Sequence, residues 1–132
     1  MIDLNQRRTM AHHVLVPFTD SEEAKKALEH ALTSFPDAKL TVIHVNDANR
    51  PSEEGRRQLE HAEEIADEAG VPVETELREG VPIDEIIRFT EETDVDHVVM
   101  GSRGRSGMSR LLLGSVAEAV VRRSEVPVTV VR

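Results

Sequence analysis

The strongest constraint in this chain is a repeated change of hydrophobic period, from short β-branched runs to amphipathic helical stripes and back again. Val14 to Phe18, Leu40 to Val45, Val73 to Leu77, Val95 to Met100 and Val126 to Val131 read as five strands. Four stripes of helical spacing lie between them. Ala24, Ala27, Leu28, Ala31 and Leu32 recur at i, i+3, i+4, i+7 and i+8, giving one apolar face to a helix that Pro36 stops. Leu59, Ala62, Ile65, Ala66 and Ala69 mark the inward face of a strongly acidic second helix, which Gly70 is placed to end. Ile83, Ile86, Ile87 and Thr90 mark a third helix behind the Gly80 to Pro82 turn. Leu113, Val116, Ala117, Val120 and Val121 mark a fourth.

This alternation predicts an α/β fold, with a five-stranded, mostly parallel open sheet and helices on both faces in the Rossmann-like manner. The third run alternates Val, Glu, Thr, Glu, Leu, as expected of an edge strand with one wet face. Asp20, with Glu23 three residues on, reads as the N-cap and capping box of the first helix. Ligands of such sheets sit beyond the carboxyl ends of the strands, where strand order reverses. The loops after Phe18, Val45 and Met100 are therefore the ones to inspect.

Periodic structure begins at His13, so residues 1–12 read as a polar lead and residues 13–132 as one domain. A chain of 132 residues is long enough to bury a real core without staples. Met10 offers a second start, from which MAHHVLVP runs directly into the first strand.

Composition narrows the chemistry. The absence of cysteine excludes disulfides, thiolate catalysis and cysteine-ligated metals. With 2% aromatics and a formal net charge of −9, the chain has neither a stacking platform for bases nor a surface that attracts duplex DNA, so no nucleic-acid partner is expected. No apolar run approaches the ~20 residues of a membrane span, and the first twelve residues hold no hydrophobic stretch of signal-peptide type. A cytoplasmic protein with no membrane partner is expected.

The segment after the fourth strand is the chemically suggestive one. Gly101-Ser-Arg-Gly-Arg-Ser-Gly107 places three glycines and two serines between a buried strand and a helix, where main-chain N–H groups can curl around an anion. Gly114 and Ser115 stand at the head of the fourth helix, whose free N–H groups and positive dipole end favour phosphate. From Gly101 onward there are six Arg and two Glu, against ten basic and twenty-three acidic residues before it. Arg103, Arg105 and Arg110 are the informative three; Arg122 and Arg123 complement the C-terminal end of the last helix. The same segment would also serve as an ordinary glycine-rich connection with Ser115 as a local cap.

Gly101-x2-Gly104-x9-Gly114-Ser115, followed by VAEAVVRRSEVPVTVV, resembles the nucleotide-binding signature and last strand of the universal stress protein family. VLVPFTDSEEAKKAL, His44-Val45 and GVPIDEII extend the resemblance over His13 to Arg132. It implies a parallel sheet of adenine-nucleotide-binding type, a homodimer formed through Val126 to Val131, and bound ATP with any Mg²⁺ arriving on the phosphates. AMP or ADP would be accommodated too. By the resemblance Gly101, Gly104, Gly114 and Ser115 would hold phosphates and ribose, with Arg103 in the basic loop. Met100, Val116 and Val45 would line the nucleoside pocket, and Pro17 precedes the position of the family's adenine-side acid. That position is Thr19 here. A hydroxyl lacks a carboxylate's charge and second oxygen.

Catalytic constellations are missing from the sequence: there is no Walker A motif, no G-x-G-x-x-G and no G-x-S-x-G. The third strand ends in Leu77-Arg78-Glu79, without the aspartate of a phosphoacceptor site. His44 is expected to be packed and satisfied by a neighbour. Three readings stay open. The first is a stress-response module that binds ATP with little turnover. The second is a weak ATPase or self-phosphorylating enzyme using Ser106, Ser109 or Ser115, and the third a dimerising interaction protein with an empty pocket.

Overall fold

The computed structural model describes residues 11–102 and 113–132. Five strands, β1 (His13–Pro17), β2 (Lys39–Asn46), β3 (Glu74–Glu79), β4 (His97–Gly101) and β5 (Val128–Val131), alternate with four helices. These are α1 (Glu22–Ser34), α2 (Ser52–Glu68), α3 (Pro82–Glu92) and α4 (Ser115–Arg123). The sheet order is β3-β2-β1-β4-β5, and every pairing is parallel. The chain builds outward from β1 to the β3 edge, then returns to lay β4 against the other side of β1. Strand order thus reverses between β1 and β4.

Side-chain alternation divides the core between the two faces of the sheet. Val14 and Val16 of β1, Leu40 and Val42 of β2 and Val99 of β4 pack under α1 and α2. Leu15, Ile43, Val98 and Met100 point the other way, into a cluster with Ile86, Ile87 and Phe89 of α3 and Ala117 and Val120 of α4. All five residues of the α1 stripe are buried. α2 ends in a Schellman turn, with Gly70 at φ 71 and Val71 N–H donating to the Ala66 carbonyl at 3.1 Å.

Several sequence expectations shift. The strands begin or end one or two residues from the apolar runs, because pairing continues as far as the neighbouring strand reaches. Ala69 is exposed, since it falls at the C-cap of α2. Val121 is 45% exposed and Leu113 precedes α4, which starts at Ser115. Phe89, absent from the expected stripe of α3, is buried. The N-cap of α1 is Ser21 rather than Asp20: its Oγ accepts from Ala24 N–H at 3.1 Å. Asp20 instead faces Lys25 at 3.6 Å and His61 at 3.8 Å.

Ahead of the first strand, Ala11 packs against the core. The His12 N–H donates to the Asp96 carboxylate at 2.9 Å, and its carbonyl accepts from Lys39 N–H at 2.9 Å. No helix among the described residues is long and apolar enough to cross a membrane.

Candidate functional site

The reversal of strand order leaves a cleft of about 280 Å³ beyond the carboxyl ends of β1 and β4. Its floor comes from the strands: Pro17, Phe18 and Thr19 where β1 ends, Ile43 and Val45 from β2, and Met100 and Gly101 from β4. Gly114, Ser115, Val116 and Ala117 at the start of α4 form one wall. Pro82 and Ile86 of α3 form another. The lining is mostly apolar, and no ionisable side chain stands among its described residues. Such a hollow suits a flat, weakly polar group whose edge is read by a few placed donors and acceptors.

Main-chain groups supply those donors and acceptors. The Ile43 carbonyl accepts from Phe18 N–H at 2.8 Å, whereas the Asn46 carbonyl accepts from Gly80 N–H at 3.0 Å on the β3 side. Successive residues of a strand bond opposite neighbours, so Val45 turns its N–H and C=O to the β1 side. β1 has ended by then, which opens the Val45 peptide towards the cleft. His44, buried as expected, donates from Nδ1 to the Phe18 carbonyl at 2.8 Å and so holds the peptide that leads into Thr19. Thr19 donates its hydroxyl to Ser21 Oγ at 3.3 Å, which leaves its own oxygen free to accept.

The opposite wall is a source of donors. Gly114 is the N-cap of α4 and brings no side-chain cap, nor does Ser115 cap the helix. The Gly114 carbonyl takes the first helical bond, from Glu118 N–H at 2.9 Å. The N–H groups of Ser115, Val116 and Ala117 therefore lack intrahelical partners. They carry the positive end of the helix dipole. Ser102 binds this helix start to the sheet, because its N–H donates to Val131 and its carbonyl accepts from Gly114 N–H at 2.6 Å.

Of the residues singled out in the sequence, Pro17, Thr19, Val45, Met100, Gly101, Gly114, Ser115 and Val116 all line this one cleft. Arg103 and Gly104 lie outside the described residues, as do Arg105, Ser106, Ser109 and Arg110. Ile43, Pro82 and Ile86 escaped sequence reasoning. Ile43 could have been found, since it shares a strand face with Val45; nothing in the local pattern places the start of α3 here. Gly101 has a packing role as well. A Cβ built on it would stand 2.8 Å from the Glu23 carbonyl carbon.

The sequence profile of the universal stress protein family matches residues 10–132. The chain belongs to that family. A universal stress protein of Methanocaldococcus jannaschii, MJ0531, is 35% identical over 90% of this chain and 81% of its own length. Among solved structures, protein MJ0577 of the same organism superposes with a TM-score of 0.81 at 30% identity, covering 93% of this chain and 96% of that one. A universal stress protein solved in complex with cAMP superposes with a TM-score of 0.76 at 25% identity, covering 94% of this chain and 99% of that chain. An Arabidopsis thaliana family member with AMP bound gives 0.69 at 25% identity, covering 91% and 90%. The sheet and its helices are thus those of universal stress proteins, some of which bind adenine nucleotides.

Proposed function

We propose that this domain binds ATP at the β1/β4 cleft, works as a stress-response module with little or no turnover, and pairs with a second copy through Val126 to Val131. The observation that carries the reading is the junction of an apolar hollow with the uncapped start of α4. The residues present fit the group. Val45, Met100, Ile86 and Val116 would enclose the base, and the Val45 peptide and Thr19 would meet its edge. Beside Gly114, the free main-chain N–H groups of Ser115 and Val116 would donate to phosphate oxygens. Gly101 and Gly104 would complete that cradle, with Arg103 supplying positive charge. Bound ATP would bring an activated phosphoanhydride and any Mg²⁺ its phosphates chelate. AMP or ADP would use the same base pocket with fewer phosphate contacts.

The lining supports the low-turnover part of this reading. No carboxylate or imidazole among the described residues faces the cleft, so none there could take a proton from water or from Ser115. Calorimetric titration with ATP and AMP, with and without Mg²⁺, followed by a phosphate-release assay, tests the reading. Saturable ATP binding without phosphate release supports it; release at a steady rate would favour the ATPase, and no binding the interaction protein. Gly114→Val should abolish binding by filling the cleft at the head of α4.

A further inference from the structure

On the far side of the Thr19–Asp20 turn lies a second hollow, of about 290 Å³, whose chemistry is the reverse of the first. It is lined by Asp20 and by Glu54, Arg57, Gln58 and His61 of α2. These four recur at i, i+3, i+4 and i+7 and so form one face of the helix. Gln58 is the unusual member. Its side chain sits in the wall of the hollow with only 8% of the residue exposed, and its Oε1 is buried without a hydrogen-bond partner. A buried acceptor in that state costs free energy until a donor reaches it. The last torsion of a glutamine is broad, so a small rotation brings the oxygen to the hollow.

The other groups say what kind of donor would answer it. Asp20 presents a carboxylate, separated from His61 Nδ1 by 3.8 Å, too far for a direct hydrogen bond. Arg57 contributes a guanidinium that makes no ion pair among the described residues. Glu54 already pairs with Arg50 at 3.1 Å, and Lys25 stands 3.6 Å from Asp20. An uncharged ligand or a simple cation would leave Arg57 without a counter-charge, and an anion alone would bring Gln58 no donor. One small molecule bearing both an N–H-rich cation and a carboxylate answers Arg57 and Gln58 together. We infer that the hollow beside Asp20 is a binding site for a free amino acid, with the ammonium held by Gln58 Oε1 and Asp20 and the carboxylate by Arg57. A hollow of about 290 Å³ has room for such a molecule. The inference is independent of nucleotide binding, which uses the other side of the turn.

The test is an NMR titration of the whole chain with glycine, N,N,N-trimethylglycine, acetate and zinc chloride, following the Gln58 side-chain amide and the Asp20 and His61 main-chain amides. Glycine should give saturable shifts at all three, at roughly millimolar concentration. Trimethylglycine keeps both charges but has no N–H, and acetate has no cation, so each should bind at least about tenfold more weakly. Gln58→Leu should lose the glycine response while keeping its ATP titration and a melting temperature no lower than that of the parent, because the unpartnered oxygen is gone. Arg57→Ala should lose it as well. Equal responses to glycine and trimethylglycine would overturn the assignment, as would saturation by zinc alone. So would the absence of any saturable shift, which would leave a bound water as the partner of Gln58. ATP binding is read separately in each variant, so failure here leaves the nucleotide reading standing.

Discussion

Gly101, at the end of β4, and Ala24, in the first turn of α1, approach so closely that a Cβ on Gly101 would stand 2.9 Å from the Ala24 amide nitrogen. The clash is with main chain, which no side-chain rotation relieves. The glycine is therefore required by packing before any ligand is considered, and it also lines the cleft. Gly101→Ala is expected to destabilise the fold by about 1–3 kcal/mol, the usual cost of overpacking. It should also weaken ATP binding, because α1 or β4 must shift at the cleft. Calorimetric melting alongside an ATP titration checks both; a variant as stable as the parent would show that the two elements part easily.

Thr19 controls what the base edge meets. With its hydroxyl proton given to Ser21 Oγ, Thr19 offers one neutral acceptor. Thr19→Asp would offer a carboxylate, whose hydrogen bond to the exocyclic amine of adenine is charge-assisted and stronger by roughly 1 kcal/mol. ATP should bind about fivefold more tightly to the variant, and GTP, which presents a carbonyl oxygen there, more weakly. Parallel titrations of the two nucleotides give the answer. An unchanged ratio would place the base edge away from Thr19.

How much of this was legible follows from what each residue answers to. The α1 stripe was fully readable because α1 lies across the middle of the sheet, where every apolar position finds cover. The α4 stripe was readable only in part. That helix packs on α3 and on β5 at the sheet edge, so Val121, on the flank of the stripe, is left partly exposed. Strand ends pointed to Gly101 and Val45, and the head of the fourth helix to Gly114, since topology alone carries these to one crevice. The cap of α1 was not readable. Thr19, Asp20 and Ser21 are all competent caps, and only the direction in which the chain leaves β1 selects Ser21. The buried Gln58 was hidden for a similar reason: a lone polar residue among acidic ones reads as surface until its helix is docked. α2 docks closely at Gly55, where a Cβ would stand 2.7 Å from Leu77 Cδ1.

The outer edge of β5 sets up a test of the homodimer. The Pro127 carbonyl accepts from Val98 N–H and the Val131 carbonyl from Ser102 N–H, so odd-numbered residues of this strand bond β4. Val128 and Val130 accordingly turn their N–H and C=O outward, along an edge that stands last in the sheet order. Val130→Pro removes one outward donor while leaving the bonds to β4 in place. Light scattering at micromolar concentration should show a dimer for the parent and a monomer for the variant, with Val130→Ala remaining dimeric. A monomeric parent would remove the proposal.

Two groups tie stability to pH in separate windows. Burial pushes the His97 imidazole below its ordinary value of 6.5, against the opposing pull of Asp96 and with a smaller push from His30; its Nε2 meets Thr129 Oγ1 at 2.7 Å. The unfolded chain then takes up this proton at a higher pH than the folded one. Stability is whole above about 6.5 and falls as pH drops through that value towards the folded pKa. Asp94 behaves as a paired acid. The hydrogen bond it accepts from His13 Nδ1, at 2.6 Å, holds its carboxyl below the ordinary 3.8. Its contribution is present above 3.8 and is lost only as pH falls through the lower folded value. Melting temperatures between pH 8 and pH 3 should therefore decline in two stages. His97→Gln should flatten the first while sparing the second, and Asp94→Asn should do the opposite. A first stage that survives in His97→Gln would assign it to another histidine.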